Sequence, residues 1–517
     1  VDKKKLKELE DIQAQLKSGG GKEAIEAQHK LGKLTADERI DVLFDKGTFV
    51  ELDAFAQHQC SDFGMEKKRP FRDGVITGYG LIGGRKVFAY AQDTSVLGGS
   101  VGFTHAQKVV HLKKLARDTK APIVALLDSG GGRIQEGSGA YSLIFYEDIV
   151  TSGVVPQISA VVGNCAGGGV YSPALTDFVL MVEGTSQMFI AGPRVIKEAT
   201  GEEIGMQELG GAKPHSQISG VCDHVAKNET ECLETVRKLL GYLPSSYLEK
   251  PPWIDTGDDP NRQEESLAEI VPESSRTPFD MRKVILAIVD KGEFLEVKKN
   301  FARSMITGFA RLGGYPVGIV ANQPMVNAGC LDCDVSDKAA RFYRTCDCFN
   351  VPIITLADVP GYLPGIKEEH KGIIRHGAKM LYGYTEATVP KITCVIRKAY
   401  GGAYAAMGAK AMGADVVLAW PTTEMAIMGP EAAVSVLYQR EIEKAENKEE
   451  FTKQKIQEYR DKFSSPYYYA SRQQIDIIVK PQETRPYLIK MLNMLKDKVM
   501  VTEGQKLEGR KHGNIPV

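Results

Sequence analysis

The chain has 517 residues, 43% hydrophobic and 25% charged, an ordinary globular composition with room for about three domains by length alone. Its formal charge of −1 removes any electrostatic case for a nucleic-acid or anionic-membrane partner. No apolar run approaches the ~18–20 residues of a membrane helix. Val1-Asp2-Lys3-Lys4-Lys5 is no signal-peptide core, and the missing initiator methionine suggests a trimmed N-terminus. Nine scattered cysteines fit reduced cytoplasmic thiols better than a disulfide framework.

Residues 3–34 read as a polar helical arm, with Leu6, Leu9, Ile12 and Leu16 on one face. Thr35 and Glu38 form a capping box for a short helix over 39–44. Residues 73–92 read as a hairpin around Gly83-Gly84. A helix is expected over 105–117, with Val109, Leu112 and Leu115 apolar and Lys108, Lys113 and Lys114 wet. Residues 122–127 and 157–162 are short apolar runs of buried-strand type, and strand, loop, helix, strand in that order implies a largely parallel sheet. Residues 247–267, with three prolines and no periodicity, read as a linker between domains at 1–250 and 268–517. Residues 441–463 should form an exposed helix pair, and 485–498 a helix with one apolar face.

The chain repeats itself. Ile76-Thr77-Gly78 recurs as Ile306-Thr307-Gly308, an offset of 230 that also relates Gly83 to Gly313, Lys108 to Lys338, Pro122 to Pro352 and Asp128 to Asp358. Past a small insertion, Pro156 matches Pro390 and Gly167-Gly168 matches Gly401-Gly402 at an offset of 234. Solenoid units run ~20–50 residues, so this period marks a duplicated domain. Each glycine doublet follows an apolar run and precedes a helical segment. That geometry points bare backbone N–H groups at a ligand oxygen. Two such turns suggest two carbonyl oxygens to be held, as in chemistry that develops an enolate.

Other motifs are weaker. Gly78-Tyr79-Gly80-Leu81-Ile82-Gly83 fits a dinucleotide fingerprint, but the following segment continues as strand. Gly98-Gly99-Ser100-Val101-Gly102 resembles a hydrolase elbow without its context and reads as a glycine-rich loop. Cys330, Cys333, Cys346 and Cys348 lack zinc spacing and read as buried thiols, so no metal is expected. His105, His111, His370 and His376 read as surface residues, and Ala378-Lys379-Met380 as a chance biotinylation-like tripeptide. No triad or carboxylate pair emerges.

DSGGGRIQEG at 128–137, CAGGGVYSPAL at 165–175, DVPGYLPG at 358–365, IIRHGAK at 373–379, RKAYGGA at 397–403 and HGNIPV at 512–517 carry a likeness across nearly the whole chain. The sequence resembles the carboxyltransferase subunits of biotin-dependent acyl-CoA carboxylases and decarboxylases. The resemblance implies an α/β fold with two tandem crotonase-like domains, each a ββα spiral. It implies CO2 transfer between carboxybiotin on a separate carrier protein and the α-carbon of a short-chain acyl-CoA of the propionyl or methylmalonyl type. It places the thioester carbonyl over Gly167 and Gly168, and the biotin ureido carbonyl over Gly402 and Ala403. Ser129, Gly130, Gly131, Gly132, Arg133 and Cys165 would serve the acyl-CoA side, and Val359, Pro360, Gly361 and Tyr362 the biotin side. The leaving biotin nitrogen would take the α-proton, so no protein base is needed. The family forms its site between the first domain of one subunit and the second of its neighbour, usually in a hexamer. Gly132 and Gly169 stand where the family usually has Ala, and Asn164 where it has Pro. Ala405 stands where propionyl-specific members tend to carry Asp, which implies a roomier, less polar pocket.

Two other functions compete with this one: a scaffold subunit with vestigial pockets, against which the intact glycines argue, and a crotonase-type hydratase, which needs a glutamate pair that is not evident. Direction depends on partners, whether a biotin carboxylase or a membrane decarboxylase subunit. No ATP-grasp-like segment or biotinyl domain is evident in the sequence.

Overall fold

A computed structural model describes residues 2–498 and 510–516. It divides into two compact units, with Val1–Lys250 in the first and the second beginning at Pro251. The first unit is built on strands β1 (Val50–Leu52), β2 (Val75–Ile82), β3 (Arg85–Gln92), β4 (Ile123–Leu127), β5 (Gln157–Val161), β6 (Asn164–Ala166), β7 (Phe178–Val182), β8 (Gln187–Phe189) and β9 (His224–Ala226). Its main sheet has the order β1-β2-β3-β4-β5-β7-β9, and β6 pairs with β8 in a second layer. The β1, β2 and β3 pairings are antiparallel, and every later one is parallel. Val124, Leu126, Ala160 and Val161 are fully buried, as a parallel sheet covered on both faces requires. Each large apolar side chain so placed contributes roughly 1.5–3 kcal/mol.

The second unit repeats the plan with β10 (Phe294–Val297), β11 (Met305–Leu312), β12 (Tyr315–Asn322), β13 (Ile353–Val359), β14 (Lys391–Tyr400), β15 (Val416–Ala419), β16 (Glu424–Ala426) and β17 (Ile477–Ile478). The order is β10-β11-β12-β13-β14-β15-β17, with β16 beside the end of β14. The sequence offsets become pairing registers. Gly78 faces Ala89 in the first hairpin and Gly308 faces Ile319 in the second. Ile123 pairs with Gln157, and Ile353 with Lys391. The glycines repeat for a steric reason. A Cβ on Gly99 would lie 2.7 Å from the Asp128 carbonyl oxygen, and one on Gly329 2.8 Å from that of Asp358. The two units are tandem copies of one crotonase-like α/β fold.

Helices α1 (Lys3–Lys17), α2 (Lys22–Lys30) and α3 (Ala36–Leu43) open the chain. Thr35 and Glu38 close a full capping box on α3. The arm is not one helix: it breaks at residues 19–21, where Gly20 passes so close to Ser95 that a Cβ would lie 1.9 Å from its carbonyl oxygen. Leu16 alone of the expected stripe is buried. Helix α4 (Phe103–Asp118) corrects the expectation of a wet lysine face, because Lys108 and Lys113 are buried. The Lys108 ammonium donates to the carbonyls of Arg72 and Val75, and its counterpart Lys338 to those of Lys298, Phe301 and Met305. Both close the turn that leads into the central hairpin. His105 on α4 is likewise buried rather than on the surface, and burial pushes its pKa down to about 3.

The boundary between the units falls within the segment expected to be the linker, and the part after it packs on the second unit. Trp253 Nε1 donates to the Gly313 carbonyl at 2.9 Å, and Ile254 N to that of Gly314 at 3.2 Å. The tail expected in the second domain returns to the first unit: Asn514 Nδ2 donates to Asp177 at 2.7 Å, and its backbone N–H to the Ser152 hydroxyl at 2.9 Å. The pair Gln439–Lys444 and Lys448–Phe463 has no buried side chain, and the last helix spans Thr484–Leu495. Among the described residues, no helix is long and apolar enough to cross a membrane.

Candidate active site

Strand β4 ends at Leu127, and the chain turns through Asp128 into the loop that carries Ser129, Gly130, Gly131 and Gly132. Backbone bonds fix this loop at every step. Ser129 N donates to the Asn164 carbonyl, Gly130 N to that of Gly98, Val101 N to that of Gly131, and Arg133 N to that of Val101, all within 2.7–2.9 Å. The second copy repeats the stitch, with Leu331 N donating to the Gly361 carbonyl at 3.1 Å and Leu363 N to that of Leu331 at 2.7 Å.

Asp128 anchors the loop from below. Its carboxylate is fully buried and accepts from Lys33 Nζ at 2.5 Å, Arg39 Nη2 at 3.0 Å and the Asn164 N–H at 3.2 Å. Arg39 also bridges to Glu229 at 2.7 Å. In the second copy Asp358 accepts from Arg397 Nη2 at 2.9 Å and the Lys398 N–H at 2.9 Å. The anchoring cations thus come from Lys33 and from Arg39 on α3 in one copy, and from Arg397 on β14 in the other. The position that carries Arg397 is Gly163 in the first copy. There a Cβ would fall 2.0 Å from Asp128 Oδ1 and 2.7 Å from Lys33 Nζ. Gly163 is required because the salt bridge occupies its side-chain space.

The first glycine turn follows β6. Gly167 is left-handed, with φ of 63°, and the chain passes through a tight turn, Gly167–Val170, into a short helix at Tyr171–Leu175. The second follows β14: Gly401 has φ of 56°, and Gly401–Ala406 is helical. The second glycine of each doublet, Gly168 and Gly402, is exposed. A Cβ on Gly402 would meet nothing within 4 Å, and one on Gly168 only the Tyr141 ring at 3.8 Å. Residues at a helix start have N–H groups with no intrahelical acceptor, so each turn offers backbone donors toward open space.

A cavity of about 360 Å³ lies over the first turn. Gly130, Gly131 and Gly132 form one wall, Ala166, Gly167 and Gly168 another, and residues 137–141 the third. Tyr141, in the helix Ala140–Thr151, is the one titratable side chain among these described lining residues, and burial raises its pKa.

Three residues expected on the acyl-CoA side have interior side chains instead. Arg133 is buried, 2.7 Å from Asp73 and 2.8 Å from Glu136, so its guanidinium is committed within the fold. Ser129 donates to the Gly99 carbonyl at 2.7 Å and accepts from the Gly131 N–H at 3.1 Å, shaping the loop. Cys165 is buried in β6, and burial pushes its thiol up to about 12. On the other side Val359 is fully buried at the end of β13, while Pro360, Gly361 and Tyr362 are half-buried. Ala403 is buried and Ala405 half-buried in the helix after the second turn. Tyr141 escaped sequence reading, since nothing in its local pattern distinguishes a cavity wall from a core aromatic. Among the described residues no group of three His, Cys, Asp or Glu side chains could hold a metal ion. Cys333, Cys346 and Cys348 are buried in one helix, Cys333–Cys348.

Two crotonase-like copies, each with a glycine turn at the end of a strand, present backbone N–H groups toward open space. Residues 27–515 match the carboxyl transferase domain, and the chain belongs to that family. It is 51% identical to the methylmalonyl-CoA decarboxylase subunit alpha of Veillonella parvula over 516 residues, covering 99% of each chain. It is 49% identical to the propionyl-CoA carboxylase carboxyltransferase subunit of Haloferax mediterranei, again over 99% of each. The crystal structure of the transcarboxylase 12S hexamer with methylmalonyl-coenzyme A and methylmalonic acid bound superposes with a TM-score of 0.94 at 46% identity, covering 99% of this chain and 97% of that one. The protein is an acyl-CoA carboxyltransferase of the propionyl-CoA carboxylase, methylmalonyl-CoA decarboxylase and transcarboxylase type.

Proposed function

We propose that this chain moves a carboxyl group between biotin on a separate carrier protein and the α-carbon of a short-chain acyl-CoA, methylmalonyl-CoA being the favoured carboxylated form. The observation that carries the reading is the cavity over Gly167 and Gly168, lined by glycine backbone and the Tyr141 ring, with no Asp, Glu, His, Lys or Cys among its described lining residues. The thioester oxygen sits against the N–H groups of this turn. As the bond from the α-carbon to the carboxylate breaks, its electron pair delocalises onto that oxygen, and the donors stabilise the enolate. A preorganised donor of this kind is worth about 10²–10³ in rate.

The second turn fits a ureido carbonyl for the same reason: Gly402 leaves room for a bulky ring, since a Cβ there meets nothing within 4 Å. Biotin supplies a nitrogen that takes up CO2 and releases its proton, and that proton balances the new bond at the α-carbon. The protein's part is to hold both oxygens and to exclude competing bases. Ala405 fits an apolar surrounding for the acyl group. The working assembly is a homo-oligomer, a hexamer by likeness to transcarboxylase 12S, with a biotin carrier as partner. Its direction follows from that partner.

The test is CO2 release from malonyl-, methylmalonyl-, ethylmalonyl- and glutaconyl-CoA, with and without free biotin. Biotin-dependent release, fastest with methylmalonyl-CoA, is the expected result. No biotin dependence with any of the four, from folded protein, overturns the reading and leaves a scaffold role.

A further inference from the structure

Tyr141 is the aromatic wall of the cavity, and the fold braces it from both sides. Behind it, the ring stacks on Phe145 at 5.9 Å and 19°, and Phe145 meets Tyr171 edge-on at 6.0 Å. Tyr171 is the first residue of the helix that follows the glycine turn, so the three rings tie the wall to the donors. In front stand three glycines. A Cβ on Gly132 or Gly168 would lie 3.8 Å from the Tyr141 ring, and one on Gly169 only 2.8 Å from its phenol oxygen. The ring is therefore seated against bare backbone and lines the same cavity as Gly168.

The second copy shows that this arrangement is a choice. The bridges Val101–Gly132 and Leu331–Tyr362 are equivalent in the repeat, so Tyr362 stands at the position of Gly132. Its ring packs on Gly377, where a Cβ would lie 2.9 Å from the phenol oxygen. One copy fills this space from the loop. The other has glycine at the loop position and brings its ring from a helix.

We propose that Tyr141 is the specificity-determining wall of the acyl pocket, its ring edge limiting the size of the substituent on the thioester's α-carbon. The inference rests on the reading that an acyl-CoA occupies this cavity. One methylene in a tight apolar pocket is worth about 10–200-fold in kcat/KM. Tyr141→Leu should therefore raise the kcat/KM ratio of ethylmalonyl- over methylmalonyl-CoA about tenfold or more, and Tyr141→Phe should leave that ratio within about twofold. Gly132→Ala adds a methyl at ordinary contact distance and should move the ratio the opposite way, which keeps the test alive if the leucine variant does not fold. The assay is biotin-dependent CO2 release on the assembled protein. A ratio unchanged in folded Tyr141→Leu and in Gly132→Ala, even with both rates lowered, overturns the inference. Wild-type protein that is inactive on every substrate defeats the functional reading itself, so the two failures are distinct.

Discussion

Replacing Arg39 by methionine tests how the loop under the cavity is held. Arg39 is 1% exposed and lies between two buried carboxylates, at 3.0 Å from Asp128 and 2.7 Å from Glu229. Methionine keeps much of the stem's packing and removes the charge. Asp128 retains Lys33 at 2.5 Å, so the main loss falls on Glu229, whose two oxygens both accept from Arg39. Removing one partner of a buried pair costs about 3–5 kcal/mol, because the other charge is left uncompensated. For a domain of this size each kcal/mol moves Tm by about 2–4 °C, so the first unit should melt about 6–20 °C lower. Calorimetry on Arg39→Met, Glu229→Gln and the double variant reads this directly. The neutral amide needs less compensation, so the double variant should be more stable than additivity predicts by about 1 kcal/mol or more. A Tm drop under about 2 °C, or strict additivity, would refute the reasoning.

Two further outcomes follow from buried groups. Lys338→Met strands the three carbonyls that accept from its ammonium and should destabilise the second unit by about 3 kcal/mol, at about 1 kcal/mol or more for each buried group left unsatisfied. Burial pushes the Lys338 pKa down to about 7 from 10.5, so between those values the unfolded chain binds more protons than the folded one. Stability of the wild type relative to Lys338→Met should therefore rise with pH from about 7 to 10.5, by at most about 1.4 kcal/mol per unit, and a flat difference in urea melts at pH 7, 8 and 9 would contradict this. Of the nine cysteines only Cys60 and Cys330 are partly exposed, so a thiol reagent at pH 8 should label at most two quickly in the native protein and nine in denaturant. Rapid labelling of Cys165 would mean that β6 opens.

The repeat, the two hairpins and the buried parallel strands were legible because they rest on short-range pattern and on glycines that no other residue can replace. Gly99 and Gly329 matter in space because a carbonyl stands where a side chain would be. Long-range partnership was not legible. Lys108 and Lys113 look wet by helical period, and only tertiary structure supplies the carbonyls and the Asp148 carboxylate that take them inside. The resemblance sets Arg133 on the acyl-CoA side, and nothing local in the sequence shows that Asp73, distant along the chain, holds its guanidinium. The prolines and missing periodicity at 247–267 suggest a linker, and nothing in them shows that Trp253 pins the segment to the Gly313-Gly314 turn. The glycine turns were readable as donors, but not the aromatic wall that gives the first one its cavity.

The central claim is that two matched turns hold two different carbonyl oxygens. Gly168→Ala and Gly402→Val test it most directly, because a Cβ at either position meets no backbone atom within 4 Å and both variants should fold. Methylmalonyl-CoA affinity by calorimetry and biotin-dependent CO2 release would be measured on each. Gly168→Ala should weaken acyl-CoA binding and turnover together. Gly402→Val keeps its N–H but fills the space a ring would occupy, so it should keep acyl-CoA affinity within about twofold while turnover falls about 100-fold, as when one oxyanion contact is lost. Full turnover in Gly402→Val, or loss of acyl-CoA affinity in step with it, would contradict the account.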